Sequence, residues 1–159
     1  HHWSNNWNKG FNIYEKLDNL LEKLDWSEKF EFTYIGNLPK NFNFKNSKIL
    51  PPLEGVDLAK ELKNHHLYLT ASLNEPSGNH HIEAAQCGLP ILFINSGGIP
   101  EYCEGFGLGF EEENFNDKLK EITKDYDFYK NQMKNYKFNA EKMSCEFINL
   151  FELLLSKRK

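Results

Sequence analysis

One ordered stretch, Leu69 to Glu101, limits what this chain can fold into; it reads LTASLNEPSGNHHIEAAQCGLPILFINSGGIPE. An apolar run, Leu67 to Ala71, predicts a strand that enters a polar, glycine-bearing loop, Ser72 to Asn79. The loop opens onto a short helix, Asn79 to Gln86, which Cys87-Gly88-Leu89-Pro90 ends, because Gly tolerates a left-handed φ and Pro cannot continue the helix. A second strand, Ile91 to Ile94, leads to a second loop, Ser96-Gly97-Gly98-Ile99-Pro100-Glu101. Strand, loop, helix, strand, loop is half of a parallel α/β sheet. Both polar loops then fall at the carboxyl ends of neighbouring strands, where open α/β sheets bind ligands.

Two carboxylates punctuate the stretch: Glu75 in the first loop, Glu83 on the helix. Between them, Pro76-Ser77-Gly78-Asn79 can aim backbone N–H groups at an anion, helped by the positive end of the helix dipole. A helix amino end takes a diphosphate, and a carboxylate one turn further in accepts two hydrogen bonds from a vicinal diol such as a ribose. A carboxylate in the loop faces whatever hangs from the phosphates. Anion and hydroxyl chemistry therefore point to a nucleotide-sugar site.

The spacing Glu75-x7-Glu83, followed by Ala84-Ala85, Cys87-Gly88-Leu89-Pro90 and Gly97-Gly98-Ile99-Pro100-Glu101, resembles the donor-binding half of family-4 glycosyltransferases with the GT-B architecture. His2-Trp3-Ser4 and Lys9-Gly10 resemble the first phosphate-loop segment of the same family, so the resemblance runs from His1 to about Phe110. It implies a Rossmann-like parallel sheet with helices on both faces, forming the C-terminal half of a two-domain enzyme. It also implies retaining transfer of a hexose-type sugar from a nucleoside diphosphate to a glycan or lipid-linked acceptor, as in polysaccharide biosynthesis. No protein-bound metal or other cofactor is expected. Lys9 would contact the diphosphate and stabilise the leaving group, and Glu75 would contact the sugar. Glu83 would hold the ribose, and the N–H groups of Ser77, Gly78, Asn79 and His80 would hold the diphosphate. Ser4, Gly10 and the main chain near Leu50, beside the nucleobase, complete the set, with Gly97 and Gly98 approaching the donor closely. One departure stands out: many members carry an arginine near the position of Trp3 and Ser4, and Arg158 is the only arginine of this chain.

Each assignment has a plainer competitor. Alone, Lys9 reads as a solvated loop lysine, Pro51-Pro52 as a rigid turn, and Gly97-Gly98 as a pair chosen for backbone conformation. The six histidines form adjacent pairs, whose side chains diverge on any regular element, and no H-x3-H spacing suggests a metal. His80 or His81 either reaches the sugar and diphosphate or serves packing, and Glu101 caps a short helical segment, Pro100 to Cys103.

With 159 residues the chain is long enough for one α/β domain with a core, and we expect a single domain over residues 1–159. A formal net charge of -4 argues against an obligate nucleic-acid binder. Cys87, Cys103 and Cys145 form no C-x-x-C or zinc pattern and suggest a reducing compartment, and no apolar run is long enough to span a membrane. We expect a cytoplasmic protein, at most peripheral at the inner membrane face. A parallel sheet of this kind needs a strand feeding the first loop, so an acceptor-binding half is expected upstream of His1.

The other elements follow from periodicity. Phe11 to Leu24 reads as a helix with Ile13, Leu17, Leu20, Leu21 and Leu24 on one face. Phe30 to Ile35 reads as a strand, Asn41 to Ser47 as a loop, Lys48 to Leu50 as a strand and Val56 to Lys63 as a helix. Leu108 to Phe110 closes the sheet, and Phe115 to Lys124 and Phe128 to Tyr136 are surface helices. Ala140 to Leu155 is amphipathic and would pack on this domain or on the upstream half, ending in the basic Ser156-Lys157-Arg158-Lys159. Two rival functions remain at this level: a nucleotide-sugar epimerase of the same architecture, and a degenerate module that binds nucleotide or a protein partner.

Overall fold

The computed structural model describes residues 1–157; Arg158 and Lys159, the end of the basic cluster, lie outside the described residues. A polar amino-terminal loop ends in one 3-10 turn, Trp7–Lys9. Then come α1 (Phe11–Leu20), α2 (Leu24–Ser27), β1 (Thr33–Ile35), β2 (Lys48–Leu50), α3 (Gly55–Leu62) and β3 (Tyr68–Thr70). The second half holds α4 (Asn79–Gln86), β4 (Ile91–Ile94), α5 (Ile99–Cys103), β5 (Gly107–Phe110), α6 (Phe115–Lys124), α7 (Tyr126–Gln132) and α8 (Ala140–Ser156).

Strand pairing among the described residues is parallel, as an α/β chain with helical crossovers requires. Strands β3, β4 and β5 form one sheet with β4 central, and all four β4 residues are buried, as expected of a parallel strand covered on both faces. Strands β1 and β2 form a second, smaller sheet. A slot lies between β1 and β3, lined by Tyr34, Ile35, Tyr68 and Leu69. His1 lines it, and His2 pairs with Gly36, donating from its N–H to the Ile35 carbonyl at 3.0 Å. The mixed α/β architecture, with parallel sheets flanked by helices, is the expected one.

Several element bounds differ from the sequence reading. Helix α1 stops at Leu20, and Lys23, in extended conformation, restarts the chain as α2. This break buries Trp26 at 6% exposure and leaves Leu24 at 72%, so the larger aromatic displaces the leucine that periodicity had placed inside. The remaining apolar face of α1 is as expected, with Ile13, Leu17 and Leu21 buried. Strand β1 begins at Thr33 rather than Phe30, because Phe30 N–H turns back to the Trp26 carbonyl at 2.9 Å. Helix α7 starts and ends earlier than expected, and Met133 is buried in the 3-10 turn that follows. Cys87 is only half-buried, and Cys103 is the fully buried cysteine. Helix α8 buries none of its residues, so its apolar side, including Phe147 and Phe151, does not pack on this domain.

Candidate functional site

Three loops meet at the carboxyl ends of the strands. The first is the amino-terminal loop, where the Asn6 side chain caps the 3-10 turn by accepting from Asn8 N–H at 3.0 Å. Gly10 leaves that turn with φ +92°, and a Cβ there would overlap Ala71, at the end of β3. The close approach is fixed further by Leu73 N–H, which donates to the Asn8 carbonyl at 2.7 Å. The loop therefore lies on the loop after β3, and Lys9 reaches Glu75. Its ammonium pairs with the Glu75 carboxylate, and the two side chains are 26% and 15% exposed. Residues 66 positions apart are joined in this way.

Glu83 stands one turn into α4 and is half-exposed. Its carboxylate lies 3.1 Å from His1 Nε2. The His1 ring at that distance holds Glu83 below the usual carboxylate range, against the opposing effect of partial burial. Both sequence-predicted acids are thus met by the single segment from His1 to Lys9, and they flank the amino end of α4. Gly78 is the N-cap of α4 and supplies no side-chain hydrogen bond. Among the described residues, the N–H groups of Ser77, Gly78, Asn79 and His80 donate to no loop or side-chain acceptor. That end of the helix is left to accept an anion.

The third loop supports the second. Gly98 N–H donates to the Glu75 carbonyl at 2.8 Å, and Asn74 N–H donates to Ser96 Oγ at 2.9 Å. A Cβ on Gly97 would strike the backbone of Glu75, and one on Gly98 the Pro76 carbonyl. Contact with their own chain therefore accounts for both glycines, where the sequence reading had them approach the donor. Ser77 Oγ lies 3.3 Å from Tyr102 Oη. Ser4 is exposed, and its Oγ accepts from Asn6 N–H at 3.2 Å. Leu50 ends β2, and its carbonyl already accepts Gly36 N–H at 3.0 Å.

His2 and His80, from different pairs, come together, while His81 stays beside His80 with ring centroids 4.9 Å apart. His2 Nε2 lies 2.8 Å from Tyr14 Oη, and His80 Nε2 lies 2.9 Å from Thr70 Oγ1. The His2 and His80 rings are 4.7 Å apart, centroid to centroid. Burial lowers both histidines well below their ordinary range, with nearby histidines and Lys9 adding to it. His81 is fully buried against Tyr102, is pushed down to about 4 by burial, and has neither ring nitrogen hydrogen-bonded. Among the described residues, no group of three or more His, Cys, Asp or Glu side chains is placed to hold a metal ion.

Sequence reasoning missed His1, Tyr14 and Thr70 as neighbours of the site, since their partners lie ten or more positions away in the chain, and it gave His2 a place in the first phosphate-loop segment but no role. It also missed Asp18, buried on α1, which accepts Lys45 N–H at 2.8 Å, Asn46 N–H at 2.9 Å and the Ser47 hydroxyl. Asp18 thereby orders the loop ahead of β2. A charged residue inside an otherwise apolar helical face was the available signal.

The family described as glycosyl transferases group 1 matches residues 40–143 of the chain. The gpi3 subunit of phosphatidylinositol N-acetylglucosaminyltransferase from Schizosaccharomyces pombe is 38% identical over 64 residues, which is 38% of this chain and 14% of that protein. Among solved structures, TarM superimposes with a TM-score of 0.69 at 17% identity, covering 94% of this chain and 34% of TarM. The pneumococcal O-GlcNAc transferase GtfA, in complex with UDP and GlcNAc, gives 0.66 at 13% identity, covering 93% of this chain and 34% of GtfA. Sucrose-phosphate synthase from Thermosynechococcus elongatus gives 0.64 at 17%, covering 92% of this chain and 44% of the synthase. The chain spans less than half the length of each of these proteins, and at such identities the solved structures report a shared GT-B fold.

Proposed function

The chain belongs to the group 1 glycosyl transferases, and from that premise we propose that it is the donor-binding, C-terminal half of a family-4 retaining enzyme. The observation that carries this reading is the convergence of Lys9 with Glu75, and of His1 with Glu83, on either side of the open amino end of α4. A nucleoside diphosphate sugar fits that order of groups. Its diphosphate would lie against Lys9 and the N–H groups of Ser77 to His80, its ribose on Glu83 and its sugar beside Glu75. Gly10 and Ser4 would border the phosphates, and main-chain groups around Leu50 the nucleobase. Gly97 and Gly98 would act by holding the Glu75 loop in place. Lys9 would stabilise charge on the departing diphosphate, and Glu75 charge on the sugar. Family membership does not favour the epimerase or the degenerate module.

A hexose-type sugar would pass with retention to a glycan or lipid-linked acceptor, as in polysaccharide biosynthesis. The UDP and GlcNAc bound to GtfA, and the lipid named in the fission-yeast relative, support such substrates without fixing them. The acceptor would be held by an upstream half, with residues 1–159 forming one donor domain. We place the enzyme in the cytoplasm, at most peripheral at the inner membrane face. No described helix is long and apolar enough to cross a membrane.

Calorimetric titration of UDP, GDP and ADP into the chain tests the reading. One of them should bind, and Glu83→Ala should weaken it by about tenfold or more, the worth of a hydrogen bond to a charged group at roughly 1.5–3 kcal/mol. A folded sample that binds none of them at millimolar concentration sinks the proposal.

A further inference from the structure

Two buried imidazoles lie behind Lys9, each with one nitrogen tied to a hydroxyl. His2 is 5% exposed and His80 is 8% exposed. The Tyr14 hydroxyl accepts Ala71 N–H at 3.2 Å. Its own single proton then has one acceptor within hydrogen-bond distance among the described residues, His2 Nε2. Thr70, fully buried, likewise has His80 Nε2 as the one acceptor for its proton. A hydroxyl that donates to Nε2 requires that nitrogen to be unprotonated. In a neutral imidazole the proton then sits on Nδ1. Burial keeps both rings neutral near pH 7.

Neither Nδ1 has a hydrogen-bond partner among the described residues, and neither is among the atoms sealed from solvent. His81 differs, since both of its nitrogens are sealed. The Cε1–Nδ1 edge of His80 lies against Gly78: a Cβ on that N-cap residue would fall 2.5 Å from Cε1 and 2.7 Å from Nδ1. His80 Nδ1 thus lies directly against the amino end of α4, with the His2 ring beside it and the Lys9 charge acting on both.

We infer that His2 and His80 are a pair of neutral hydrogen-bond donors to the donor's diphosphate, with Tyr14 and Thr70 as positioning residues that fix their Nδ1–H tautomers. The inference rests on the donor-binding reading above. The chemistry suits a site that has the Lys9 ammonium at hand and, among the described residues, no arginine. Two neutral N–H groups add hydrogen bonds to phosphate oxygens without a second buried cation beside Lys9. The hydroxyls behind them supply the direction that a rigid guanidinium would otherwise provide.

The test is a long-range proton–nitrogen NMR spectrum of the imidazoles in the full chain, with and without UDP, GDP or ADP. The expected result is a proton on Nδ1 of both His2 and His80 in the free chain. The nucleotide that binds should shift those two Nδ1 resonances and leave His65 and His66 in place. Tyr14→Phe should release the tautomer of His2, and Thr70→Val that of His80. Each should weaken nucleotide binding about fivefold, the scale of one neutral hydrogen bond, and Thr70→Ser should restore it. A wild-type ring protonated on Nε2 overturns the inference whatever the variants do. Binding that moves neither Nδ1 overturns the imidazole assignment alone, whereas a folded chain that takes up none of the three nucleotides overturns the donor-binding reading and the ligand with it.

Discussion

Gly97 and Gly105 offer a controlled test of how the candidate site is held together. Both have positive φ, +61° at Gly97 and +82° at Gly105. An alanine at either position must adopt a left-handed conformation, which costs about 1–2 kcal/mol for an L residue. Their surroundings differ. A Cβ at Gly105 meets nothing within 4 Å, while a Cβ at Gly97 meets the backbone nitrogen, carbon and oxygen of Glu75. Main-chain atoms cannot swing aside as a long side chain can, so Gly97→Ala should carry a further overpacking cost of about 1–3 kcal/mol. Gly105→Ala should therefore destabilise by about 1–2 kcal/mol, and Gly97→Ala by about 2–5 kcal/mol when the overlap is added. Urea unfolding followed by tryptophan fluorescence measures both. With a slope of about 1–3 kcal/mol per molar urea, the two midpoints should lie roughly 1 M apart at unchanged slope. Equal midpoints would show that the Glu75 loop yields freely, and the reasoning that Gly97 fixes the position of Glu75 would be wrong.

Other expectations can be measured in the same way. A double-mutant cycle on Lys9→Met and Glu75→Gln should give a coupling of about 1–3 kcal/mol, since the pair is charge-assisted and mostly shielded; a value near zero would mean that the contact does not hold in solution. Asp18→Ala strands two backbone N–H groups and a hydroxyl and should cost about 2–4 kcal/mol in urea midpoint analysis, with less than about 1 kcal/mol counting against it. Stability should also fall as pH drops below 6.5. There the unfolded chain binds protons that folded His2, His80 and His81 refuse, and the His81 part levels off near its folded value of about 4. Each histidine contributes a slope of up to about 1.4 kcal/mol per pH unit. Glu83, held low by His1, adds a loss only below its ordinary 4.5. Unchanged urea midpoints between pH 7 and pH 5 would contradict the burial of these rings.

The part of the fold most legible in the sequence was the part with the densest punctuation. Helix α4 and strand β4 fall on the expected residues, because Gly78, Gly88 and Pro90 leave little freedom for where either begins or ends. The end of α1 was not legible. Leu24 and Trp26 both suit a helical apolar face by spacing, and only the space available in the core decides that Trp26 goes in. Of the site, the two acids and the open amino end of α4 could be anticipated from local chemistry. Their partners could not. His1 reaches Glu83, and Lys9 reaches Glu75, across most of a domain's folding, which no local pattern encodes. The glycine pair shows a different limit. A position that must lack a Cβ looks the same in sequence whether the close neighbour is a ligand or the chain itself, and at Gly97 and Gly98 it is the chain.

That distinction bears on how the site would bind. The contacts that bring its loops together are largely main-chain contacts: Gly10 against Ala71, Leu73 N–H on the Asn8 carbonyl, Gly97 against Glu75 and Gly98 N–H on the Glu75 carbonyl. Outward-facing side chains such as Ser4 and Asn79 contribute little to this frame. A ligand arriving there finds loops already in register, so it need not supply the ordering of flexible backbone, which otherwise subtracts from affinity. The frame also separates two kinds of substitution. Changes at Ser4, Ser77 or Asn79 alter what the site recognises while leaving its floor intact, whereas adding a Cβ at Gly10 or Gly97 moves the floor itself and with it both Lys9 and Glu75.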